Sequence, residues 1–142
     1  MEVSHVRNRV NRAIEAARER GQHRRQRTAD AEREYAAFLE HVATPVIRQV
    51  ANALKVEGYA FTVFTPGGGL RLAWDRTRDD YVEFALDADA PTPQVVARIS
   101  QTRGSRTLDD ERPVKAGVTP AELTDEDVLT FLLDALQPWL ER

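Results

Sequence analysis

The stretch RERGQHRRQR, residues 18–27, sets Arg18, Arg20, Arg24, Arg25 and Arg27 beside His23 with no apolar side chain among them. Cations at this density can neutralise phosphates and release their counterions, the chemistry of a nucleic-acid-binding arm. On a helical wheel, however, the five arginines are expected to spread around the circumference. A groove-reading helix needs them on one face. Local pairing with Glu15, Glu19, Asp30, Glu32 and Glu34 would instead make the run a solvated connector. No aromatic side chain is interleaved for base stacking, and the nearest, Tyr35, belongs to an apolar stripe. The expectation is a solubilising joint, with nucleic-acid binding through these arginines as the alternative.

Other residues capable of chemistry lack the spacing for it. PGGG (66–69) has glycine-rich phosphate-loop character, but Leu70 opens a strand and no Lys or Ser/Thr follows the glycines, so a hairpin connection is expected. In DRTRDD, Asp75, Asp79 and Asp80 offer oxygen ligands for a hard cation, yet Arg76 and Arg78 stand between them. A charged turn is the expectation there, and Asp109, Asp110 and Glu111 read as a solvated loop. His5, His23 and His41 stand eighteen residues apart, without the close pairs a zinc site uses. The hydroxyl residues have neither GxSxG nor SxxK context, and no titratable pair suggests an acid and a base. No catalytic, cofactor or metal residue is assigned. A composite enzymatic site near 102–119 is the least supported possibility.

The elements follow from periodicity. Val3, Val6, Val10, Ile14 and Ala17 recur at helical spacing, as do Tyr35, Phe38, Leu39, Val42, Val46, Val50 and Leu54. These predict a helix over 2–20 and a second over 29–56, either separate or continuous, with Gly21 weakening the join and Pro45 bending the second helix or starting a new one. Four alternating segments follow, at 59–65, 70–75, 80–87 and 94–101, and read as an antiparallel meander with one buried face. Residues 102–119 show no period and are expected to form a loop, with a short strand possible near 113–115. Capping signals at Thr119 and Thr124 then open a helix over 120–140.

The 142 residues carry a net charge of -3, no cysteine and 42% hydrophobic residues, enough for one self-contained core without disulfides. Charge is uneven along the chain. Residues 1–27 hold eight arginines against Glu2, Glu15 and Glu19, and the second half of the sequence is acidic. No membrane span or apolar leader is visible, so a cytoplasmic protein is expected.

The expected architecture is α+β, with N-terminal helices, a four-stranded antiparallel meander covered on one face, and a C-terminal helix. Residues 1–27 form a helical arm with a basic connector and 28–142 form the globular domain. The helix–meander–helix order is similar in layout to small bacterial nucleoid-associated proteins. The roof of the sheet is assigned to the second helix and the tail, which leaves Val3, Val6, Val10, Ile14 and Ala17 unspent. The outer sheet face, with Phe64, Arg71, Tyr81 and Arg98, is a further candidate contact surface. The functional expectation is a non-enzymatic interaction module, either a homodimer or an accessory subunit bound to protein.

Overall fold

Helix α1 is one uninterrupted element from Val3 to Phe38 in the computed structural model, which describes residues 1–142. Helical segments were expected over 2–20 and 29–56, with continuity across Gly21 left open, and the structure joins them. The connector is helical because Arg, Glu, Gln and Ala all favour helix, and one glycine costs only about 1 kcal/mol against so many propagating residues. At 1.5 Å per residue the helix is about 54 Å long. The chain divides into two compact units, residues 1–30 and 31–142. The first consists of helix alone, and its apolar side chains are exposed: Val3 74%, Val6 42%, Val10 49% and Ile14 43%.

The second unit begins with the last turns of α1, where Ala31, Tyr35 and Phe38 are buried at the i, i+4, i+7 spacing of one helical face. A π-helical turn, Leu39–Ala43, joins α1 to α2, Thr44–Val56. Its cause is Pro45. The proline ring would collide with the carbonyl four residues earlier, and widening the preceding turn relieves that contact. The Thr44 N–H accordingly reaches back five residues, to the Leu39 carbonyl.

Five strands follow, not four: β1 Phe61–Phe64, β2 Leu70–Trp74, β3 Tyr81–Asp87, β4 Gln94–Arg103 and β5 Arg106–Pro113. They form one antiparallel sheet in sequence order, β1-β2-β3-β4-β5. Strand β5 lies within the stretch expected to be a loop, and it pairs with β4 from Arg103↔Arg106 to Val96↔Pro113. Gly104 turns that hairpin at φ 62, and Ser105 keeps a negative φ, the sign pattern of a type II′ connection.

The inner face of the sheet carries Leu70, Leu72, Val82, Phe84, Ala97 and Ile99, all buried. Its cover comes from Ile47 and Val50 of α2 and from α3, Asp125–Ala135, through Val128, Phe131 and Leu132. The expected helix over 120–140 is broken into three pieces. A 3₁₀ turn spans Pro120–Glu122, α3 ends at Ala135, and α4 occupies Gln137–Leu140. Pro138 sits at the start of α4, where its missing N–H costs nothing. Both capping boxes form, with the Thr119 N–H donating to Glu122 Oε1 at 3.0 Å and the Asp127 N–H to Thr124 Oγ1 at 3.2 Å. No helix is long and apolar enough to cross a membrane.

Candidate interaction surfaces

Three exposed surfaces carry chemistry, and each is built from an element described above. On α1, Val3, Val6, Val10, Ile14 and Ala17 line up because steps of three and four residues return to nearly the same angle at 100° per residue. Extending the same count through the uninterrupted helix puts Arg18, Arg20, Arg24, Arg25 and Arg27 on the half of the cylinder that holds the valines. Glu15, Glu19, Gln22 and Gln26 occupy the other half. The arginines therefore cover half the circumference and not the whole of it, as the sequence reading had them. They are fixed on a helix, not strung along a flexible arm. Apart from Gly21, every residue from 18 to 27 is exposed.

A groove of about 530 Å³ lies in the second unit, between α2 and α3. Val46, Ala53 and Leu54 form one wall, and Leu129 and Leu133 the other. Leu133 is 45% exposed despite belonging to the covering helix. The polar lining includes the carboxylates Glu57, Asp125 and Glu126, with His41 from the π-turn. Apolar walls with acidic groups at the edge suit a cationic amphipathic partner.

The outer face of the sheet is different in kind. Its central ladder runs Phe64↔Arg71, Arg71↔Glu83, Glu83↔Arg98 and Arg98↔Glu111 across the five strands. Arg71 donates from Nε and Nη2 to the two carboxylate oxygens of Glu83, at 3.3 and 3.2 Å, and its guanidinium lies 4.0 Å from the centre of the Tyr81 ring. The charges of Arg71 and Glu83 are thus paired within the sheet, as favourable cross-strand pairs are. Phe64 is left 51% exposed at its end.

One site passed over as a charged turn is a buried anchor. Asp80 is fully inaccessible. It accepts hydrogen bonds at 2.9 Å from the indole N–H of Trp139, the backbone N–H of Thr102 and the hydroxyl of Thr77. Arg142 Nη2 stands 3.5 Å away. Burial alone would raise the pKa of this carboxyl, but the bonds from Thr102, Thr77 and Trp139 favour the ionised form and hold it below the ordinary value. The site ties the β2–β3 turn to β4 and the C-terminus, and with every oxygen engaged it is structural. Nothing in its sequence distinguished Asp80 from Asp79; only the distant Trp139 does.

The glycine-rich stretch makes the tight β1–β2 connection, with the Gly69 N–H donating to the Pro66 carbonyl at 2.7 Å and Gly68 at φ 72. No group of three or more His, Asp or Glu is arranged to hold a metal ion. No family model, curated protein or solved structure was found to match the chain.

Proposed function

We propose that the protein is a non-enzymatic interaction module that associates with protein, itself included, through the N-terminal half of α1. The observation that carries this reading is the run of exposed apolar side chains at Val3, Val6, Val10 and Ile14. Contiguous apolar surface of this kind is retained where a second surface covers it. A short helix of this hydrophobicity would be unstable alone. Here the helix is continuous with turns packed into a folded core, so a partner meets it already formed and the ordering cost of association is reduced. A cytoplasmic location remains part of this reading.

Light scattering behind gel filtration tests it, on the full chain and on a variant carrying Val6→Glu and Val10→Glu. An oligomer, or a stable complex recovered from the native host, that is lost in the variant supports the reading. A monomer with no partner in either protein would overturn it.

The arginines sharing one half of α1 favour a second reading, a nucleic-acid-associated protein that holds phosphates with Arg18, Arg20, Arg24, Arg25 and Arg27. Titration with duplex DNA and with RNA at two salt concentrations tests it. Phosphate contacts would give a steep fall in affinity with salt, flattened when Arg24, Arg25 and Arg27 become alanine.

A further inference from the structure

The geometry points to reciprocal exchange between two copies of this chain, the N-terminal half of α1 from one filling the α2–α3 groove of the other. The inference rests on the proposed self-association and names the surface that receives the helix.

Three observations converge on it. The first is chemistry. The stripe presents Val6, Val10 and Ile14, all more than 40% exposed, and the groove presents Leu54, Leu129 and Leu133. An amphipathic helix lying in an apolar groove is a standard mode of recognition, anchored at i, i+3/i+4 and i+7.

The second is charge. By the angular count, Arg7 and Arg18 border the stripe on one side and Arg9 and Arg20 on the other, while the groove carries Glu57, Asp125 and Glu126. Pairing α1 with another α1 would bring together two segments that each carry a surplus of five positive charges over residues 1–27. Seating it against carboxylates removes that repulsion.

The third is length. From Val3 to Ala17 the stripe spans about 21 Å, and from His41 to Glu57 the groove wall spans about 24 Å at the rise of a helix. When each copy both gives its helix and receives the other's, a two-fold axis relates the two contacts and the assembly closes as a dimer. Phosphate binding alone gives no role to the valines, which is why the groove is the better partner for this face.

Because the chain has no cysteine, single thiols report the contact directly. Full-length Val10→Cys and Leu133→Cys proteins, mixed and mildly oxidised, are expected to form a 10–133 disulfide between chains in excess of either homodisulfide. In the double variant the same bond should appear only in a covalent dimer. Charge reversal at Arg9 should weaken dimerisation about fivefold, and Glu126→Arg should restore it.

A dominant 10–10 disulfide would overturn the exchange in favour of helix–helix pairing, and a 10–133 bond within one chain would overturn it in favour of fold-back. Loss of the dimer with Val10→Glu but not with Leu133→Glu refutes the groove and leaves self-association standing. A monomer throughout removes both. Dimerisation only on added DNA would transfer the face to the nucleic-acid reading.

Discussion

Two buried polar side chains in this protein have opposite fates. The Tyr35 hydroxyl is buried without a hydrogen-bond partner. Burial, reinforced by the negative charge of Glu83, pushes its pKa up to about 12, so the phenol stays neutral at all ordinary pH. An orphaned hydroxyl in a core costs about 1 to 3 kcal/mol that its ring burial must offset. Tyr35→Phe keeps the stacking on Phe38 and removes that cost, and it should stabilise the protein by about 1 kcal/mol in urea unfolding. Asp80 is the contrary case, because all its donors are in place. Asp80→Ala would strand the Trp139 indole and the Thr102 amide in the interior, a loss of about 3 kcal/mol. Its linkage to pH has a definite sign. The folded carboxyl titrates below the ordinary 3.8, so its contribution is complete above the unfolded value and disappears as pH falls through the folded one. The stability gap between wild type and Asp80→Asn, measured by denaturant titration, should therefore be largest near neutrality and shrink toward pH 3.

At the scale of elements, α1 holds its weakest residue at its most charged point. Gly21 has negative φ, and an added Cβ would meet only the ends of the Arg25 and Arg24 side chains, at 3.3 and 3.9 Å. Those ends are flexible, so Gly21→Ala should strengthen the helix by close to the intrinsic difference, about 1 kcal/mol. Slower amide exchange across residues 17–25 is the readout. The sheet shows where the sequence was legible. Alternation at Leu70/Leu72 and Val82/Phe84 located β2 and β3 to within a residue or two, because one-sided burial writes a period of two into the chain. Strand β5 carries no such period. RTLDDE is exposed along its length and forms an edge, where charge on both faces discourages pairing with other chains. The one signal for it was Gly104-Ser105, a two-residue hairpin connector between segments that otherwise look like loop. The break between α3 and α4 falls at Leu136, ahead of Pro138, and placing Trp139 against Asp80 needed a contact 59 residues distant in sequence.

For the molecule as a whole, the distribution of charge and apolar surface sets how association should respond to its solvent. A contact made by valines and leucines and bordered by arginines and carboxylates has two parts with opposite salt responses. Sodium chloride screens the ionic part, whose reach at 0.15 M is about 8 Å, and leaves the apolar part nearly untouched. Sulfate is excluded from apolar surface and strengthens its burial. Raising sodium chloride from 0.05 to 0.5 M should therefore weaken the dimer only severalfold, whereas ammonium sulfate at equal ionic strength should tighten it. Phosphate binding by five arginines behaves otherwise, because counterion release steepens with every contact and affinity falls by orders of magnitude over the same range. Sedimentation equilibrium in the two salts separates these mechanisms without any substitution. A dimer that dissolves steeply in both salts would mean that the valines contribute nothing, and that the arginines alone give α1 its partner.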